Sequence, residues 1–136
     1  MNLNPYLSFD GRCEEAFTYY AETLGGTIAG IFKYGGSPME ESVPADWKDK
    51  VMHATMTLGK GTIMGADSAP QQYQPAQGFS ISLEVDKVEE AERAFSALAK
   101  EGKILLPLQQ TFWAPRFGML VDRFGIPWMV SCENEG

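Results

Sequence analysis

Few side chains in this sequence could do acid–base or nucleophilic chemistry near neutral pH. His53 is the single histidine among 136 residues, and histidine is the side chain whose unperturbed pKa lies nearest neutrality. It falls in an alternating run over residues 51–58, on the polar side with Thr55 and Thr57, where it could be a general base or a polar anchor. A hydrogen-bonded structural histidine is the other reading. Glu84 lies in a second alternating run, residues 79–85, where burial would raise its pKa and make it an acid or base. A solvated Glu near a strand end would do neither. His53 and Glu84 are therefore the candidate catalytic residues. Cys13 stands in the first turn of an expected helix, a place that lowers a thiol pKa, yet no base is set beside it and packing is the simpler role. Cys132 ends a strand with no visible partner.

The elements that must position these groups come in two similar sets. Residues 3–9 alternate Leu3, Pro5, Leu7 and Phe9 against Asn4, Tyr6 and Ser8, as a strand with one apolar face does. Asp10 offers an N-cap, and Cys13, Phe17, Tyr20, Ala21 and Leu24 recur at helical spacing until Gly25-Gly26. Residues 27–33 and 51–58 read as strands, and Gly59-Lys60-Gly61 as a tight hairpin into a strand over 62–66. The second half repeats the order. Residues 79–85 alternate, Asp86 caps a helix with Glu89 placed for a capping box, and Val88, Ala91, Phe95, Leu98 and Ala99 form its apolar stripe up to Gly102. Strands follow at 103–107, 117–122 and 126–132, the last two joined by Arg123-Phe124-Gly125. DGRCEEAF answers DKVEEAERAF, and TLGKGTIMG answers VDRFGIPWM. The expected fold class is α+β, one domain of two β-α-β-β-β modules, residues 1–67 and 78–133, with 68–77 as linker.

Each module has one sheet face covered by its helix and one left over. Two modules side by side could curl their sheets around a cleft lined by that second face. Alternation nominates Asn4, Tyr6, Ser8, His53, Thr55, Thr57, Met64, Ser80, Ser82, Glu84 and Met129 for the lining; two ordinary sheets with that face in water are the alternative. Tyr6, Met64 and Met129 are poor choices for a solvated face. Residues 34–50, 67–78 and 108–116 have no period and are expected as loops. Trp47, Tyr73, Phe112 and Trp113 within them argue for packing on a ligand or a second subunit rather than disorder. Tyr6, Phe112, Trp113 and Trp128 could stack on a flat ligand or serve as ordinary packing.

Composition removes several classes of partner. Eleven basic against 18 acidic residues give a formal net charge of -7, which repels a phosphate backbone or an anionic membrane. No stretch approaches the roughly 18 apolar residues of a membrane span. Two distant cysteines without CxxC spacing read as reduced thiols, so a cytoplasmic location is expected.

Three segments together resemble one family: NPYLSFDGRCEEAFTYYAETLGG, VMHATMTLGKGTIMGAD and TFWAPRFGMLVDRFGIPWMVS. They are similar to the vicinal oxygen chelate superfamily, which includes glyoxalase I and the bleomycin- and fosfomycin-resistance proteins, and within it to the PhnB-like group, often labelled 3-demethylubiquinone-9 3-methyltransferase-like. The resemblance implies paired β-α-β-β-β modules, a cleft between them and a homodimer. In the metal-dependent members four inward His, Gln or Glu side chains, one each from the first, fourth, fifth and eighth strands, hold a divalent ion. Those places fall here on Asn4 (or Pro5), Met64, Ser80 and Met129, none a good ligand for Zn, Ni, Fe or Mn. A relocated site would have to draw on Glu84, Asp67, Glu133 and His53 from different faces or strand ends. No Gly-rich strand-to-helix turn followed by an acidic residue offers a cradle for S-adenosylmethionine.

The expectation is a protein that binds a small molecule in the inter-module cleft, with no cofactor, no metal, no nucleic acid and no membrane. The candidate ligand-binding residues are Tyr6, Ser8, Thr55, Met64, Ser80, Ser82, Trp113 and Met129. One alternative is a glyoxalase-type lyase or isomerase using Glu84 and His53 for proton transfer. The other is a drug-sequestering protein of the bleomycin-resistance type, its acidity and aromatic loops drawing in a flat cation.

Overall fold

The computed structural model describes residues 1–133 and divides into two compact units, Met1–Pro75 and Ala76–Gly136. In the first, strand β1 (Tyr6–Phe9) leads to helix α1 (Cys13–Leu24), then to strands β2 (Thr27–Lys33), β3 (Val51–Leu58) and β4 (Gly61–Asp67). The sheet order is β1-β4-β3-β2. β1 runs parallel to β4, and the other neighbours are antiparallel. In the second unit β5 (Ile81–Val85), helix α2 (Val88–Ala99), β6 (Lys103–Gln109), β7 (Arg116–Val121) and β8 (Pro127–Cys132) repeat the arrangement as β5-β8-β7-β6, with β5 parallel to β8. Each unit is thus a β-α-β-β-β module, as the repeated sequence pattern requires.

Period-two alternation builds each core. Leu7, Phe9, Ala54, Met56 and Ile63 are buried, as are Cys13, Ala16, Phe17 and Tyr20 of α1. The Phe9 and Phe17 rings meet edge to face, centroids 6.0 Å apart. In the second unit Leu120, Trp128, Val130 and Cys132 are buried with Ala91, Phe95 and Leu98 of α2. A glycine lets each helix approach its sheet, but on different strands. A Cβ on Gly65 of β4 would come within 3.2 Å of the Phe17 ring, and one on Gly118 of β7 within 2.7 Å of Phe95. The β3–β4 hairpin closes between Leu58 and Gly61, with Gly59 in the left-handed region at φ 57, which glycine adopts without the steric cost of a Cβ.

Several boundaries differ from the sequence reading. The first strand begins at Tyr6, and Leu3, expected on the apolar face, is 97% exposed. Pro5 has no N–H to give the ladder, although its carbonyl accepts the Met64 N–H. The fifth strand begins at Ile81, leaving Phe79 and Ser80 outside it. Neither expected cap forms. α1 has Arg12 at its N-cap position, with no side-chain capping hydrogen bond. Its first N–H, from Cys13, is instead taken by Asp67 Oδ1 at 2.8 Å, while Asp67 Oδ2 accepts from Val51 N at 2.9 Å. α2 has Lys87 at that position, so the Asp86–Glu89 box is absent. In the loop over 34–50, two short 3₁₀ turns (Glu40–Ser42 and Ala45–Trp47) bury Trp47 beside Tyr34, centroids 6.2 Å apart. Cys13 and Cys132 are buried and form no disulfide. Among the described residues no helix is long and apolar enough to cross a membrane.

Candidate functional site

The face of the first sheet that α1 leaves uncovered carries most of the nominated residues. Strand pairing places them in rows: Tyr6 lies opposite Met64, Met64 opposite Thr55, and Thr55 opposite Gly30. His53 lies one row along, opposite Phe32. Because side chains alternate, Tyr6, Ser8, His53, Thr55 and Met64 share this face while Leu7, Ala54 and Met56 take the other. Three of them join. The Tyr6 hydroxyl is 3.0 Å from His53 Nδ1, and His53 Nε2 is 3.2 Å from Thr55 Oγ1. The Tyr6 and His53 rings are tilted, centroids 5.7 Å apart. An imidazole bracketed by two hydroxyls is held in orientation from both sides. Burial of the Tyr6 hydroxyl end, with Cys13 and Tyr34 nearby, raises the phenol pKa, so it stays a neutral hydroxyl at physiological pH. Asn4 adds its amide, Nδ2 lying 3.8 Å from Met64 Sδ.

Phe32 was not among the nominated residues. Its ring is 59% exposed, and a Cβ on Gly30 would touch it at 3.4 Å, so it lies over Gly30 beside the Tyr6–His53–Thr55 row. The register shifts in β2, at Ile28/Gly30 and Phe32/Lys33, break the alternation that would have revealed it.

The second unit supplies the other nominated residues. Ser82 lies opposite Met129, and Met129 opposite Met119. Glu84 is on the same face, opposite Ser131, and is exposed, not buried as the acid–base reading requires. Phe117 occupies the register position of His53 and is buried, with Trp113 against its ring at 5.3 Å and Phe112 against Trp113 at 4.7 Å. Trp113 itself is half-exposed and Phe112 almost fully exposed.

Cys13 takes the packing role. Burial, then Asp67 and Glu14, push its thiol pKa well above the usual range, outweighing its place in the first turn of α1. Asp67 is raised as well, desolvation outweighing its bonds from Val51 and Cys13 and the charge of Lys50.

The residues at the metal positions of the related fold do not suit a metal. Met64 and Met129 occupy equivalent registers in the two sheets, and with Asn4 and Ser80 they offer thioethers, an amide and a hydroxyl. Among the described residues no three His, Cys, Asp or Glu side chains are grouped to hold an ion. Both oxygens of Asp67 are occupied by backbone N–H groups. S-adenosylmethionine fares no better at the first strand-to-helix turn, since the Asp67 carboxylate already fills the N-terminus of α1 where such a cradle would be built.

The whole arrangement matches known proteins. A family model described as 3-demethylubiquinone-9 3-methyltransferase covers residues 1–131. The chain belongs to this family. Protein YjdN from Escherichia coli (strain K12) is 37% identical over 143 residues, covering 99% of this chain and 97% of that protein. The crystal structure of protein PA1353 from Pseudomonas aeruginosa superposes with a TM-score of 0.90 at 48% identity, covering 99% of each chain. A Bacillus cereus PhnB protein, a family member described as a putative 3-demethylubiquinone-9 3-methyltransferase, gives 0.82 at 27% identity, covering 97% of this chain and 99% of that one. The family has the glyoxalase/bleomycin-resistance type of fold. A glyoxylase/bleomycin resistance protein/dioxygenase domain from Frankia sp. shares that fold at 15% identity and a TM-score of 0.63, covering 98% of this chain and 95% of its own.

Proposed function

We propose that the chain binds a small organic molecule on the uncovered face of its first sheet, without a metal. The observation that carries this reading is the Tyr6–His53–Thr55 row, flanked by the exposed rings of Tyr6 and Phe32. Polar groups converging beside apolar, exposed aromatic surface are what small-molecule sites are made of. The metal-free part rests on the donor chemistry of Asn4, Met64, Ser80 and Met129. Methyl transfer, which the family description names, gains no support from a helix N-terminus already capped by Asp67.

Thermal stabilisation by a library of small aromatic compounds tests the reading. Chelator-treated protein is expected to keep its ligand-dependent rise in Tm, and Phe32→Ala or Tyr6→Phe to reduce it. A tightly bound transition ion in each chain, whose removal abolishes the rise, would overturn the metal-free assignment. S-adenosylmethionine is expected to leave Tm unchanged.

A further inference from the structure

In its neutral form the His53 imidazole carries one ring proton, and Tyr6 and Thr55 carry one hydroxyl proton each. Three protons therefore serve two hydrogen bonds, at 3.0 and 3.2 Å. One O–H is left over. When Tyr6 donates to Nδ1, the ring proton sits on Nε2 and is given to Thr55 Oγ1, leaving the Thr55 O–H free. When Thr55 donates to Nε2, the ring proton sits on Nδ1 and the Tyr6 O–H is free. The two arrangements carry the same charge and differ by the tautomer of His53. In both, the two ring nitrogens are occupied, so the row offers a ligand an O–H donor but no basic nitrogen.

We propose that this face takes a flat ring bearing an oxygen acceptor, a carbonyl or its equivalent, with the ring against Phe32 and the oxygen on the outward O–H of Tyr6 or Thr55. His53 is the positioning residue: by changing tautomer it moves the free donor from one end of the row to the other. Phe32 lies over Gly30, which pairs with Thr55, so the apolar platform adjoins the donor. This inference rests on the proposed function and adds the chemistry of the ligand to it.

His53 is the only histidine, so its ring nitrogens give unambiguous nitrogen-15 signals. Two ring compounds serve as probes: acetophenone, a neutral acceptor, and benzylamine, a cation without one. The net charge of -7 favours the amine, which makes the ketone the stricter test. Acetophenone is expected to shift the His53 ring signals toward a single tautomer, and to bind about tenfold more weakly in the Tyr6→Phe, Thr55→Val double variant, the worth of one hydrogen bond. Phe32→Ala, which leaves the row intact, is expected to weaken both probes alike. Equal or tighter binding of benzylamine to the wild type overturns the inference whatever the fate of the variants. If acetophenone moves backbone signals of β1 to β4 but leaves the His53 ring unchanged, the acceptor assignment is wrong and the binding face stands. If neither probe moves those backbone signals, the proposed function falls with it.

Discussion

The two sheets have the same strand order and equivalent registers, yet their uncovered faces differ in kind. Where the first has Tyr6, Thr55 and His53, the second has Ser82, Met119 and Phe117 at the matching positions, around the equivalent Met64 and Met129. The first face carries a hydrogen-bonded row, whereas the second sets the Met119 and Met129 thioethers and the Phe117 ring, with Trp113 against it, beside Ser82, Glu84 and Ser131. The buried carboxylates diverge as well. Asp67 ties the start of α1 to the start of β3, whereas the equivalent register of the second unit holds Cys132. Asp122 there serves its own hairpin, accepting from Phe124 N, Ile126 N and Trp128 Nε1. Topology is shared; the polar groups that fasten it and those that face outward are not.

The largest test of that difference removes each carboxylate. Asp67→Ala strands two buried backbone donors, and Asp122→Ala strands two backbone donors and the Trp128 indole N–H; each is expected to cost about 3 kcal/mol in urea unfolding. The contrast is local: hydrogen exchange should quicken at Cys13 and Val51 in the first variant and around Phe124–Ile126 in the second. The same protection pattern in both would show that the two fastenings are one. Next come the glycines beneath the helices. Gly118→Ala drives a Cβ into Phe95 and the Leu108 backbone and is expected to cost about 2 kcal/mol. Gly65→Ala, with Phe17 at 3.2 Å and the Leu7 carbonyl at 3.0 Å, is expected to cost less, about 1 kcal/mol. Equal values would mean that the helices sit equally close.

A smaller effect concerns pH. Asp67 has its pKa raised in the native state, so the folded chain holds that proton more tightly than the unfolded one. Its contribution is therefore greatest in acid and is lost as pH rises from the unfolded value, about 3.9, through the folded one. Asp67→Asn should remove this downward slope from the dependence of unfolding free energy on pH; an unchanged slope would assign it elsewhere. The smallest effect is at the thiols. With Cys13 buried and its pKa raised, Ellman's reagent at pH 8 should label neither cysteine of the native protein faster than it unfolds.

Local signals carried most of the fold. β2 and β3 span 27–33 and 51–58, as read from the sequence, and in β3 the buried Ala54 and Met56 fix the period. The caps could not be read this way. Asp10 and Asp86 have the right residue type beside the helices, but the acceptor for Cys13 comes from Asp67, 54 residues away, and no local pattern encodes so distant a partner. The polar row on the first sheet was legible as separate residues, since alternation put Tyr6, His53 and Thr55 on one side. That they touch depends on the β1–β4–β3 pairing, and Phe32 was hidden by the shifts in β2.

Those shifts have a consequence for the company the protein keeps. β2 and β6 end their sheets, and each carries two register irregularities. The opposite borders, β1 and β5, are only four and five residues long. A foreign strand seeking an unpaired backbone to extend meets either a kinked template or one too short to hold it. Every border of the two sheets is thus a poor template for amyloid-like growth.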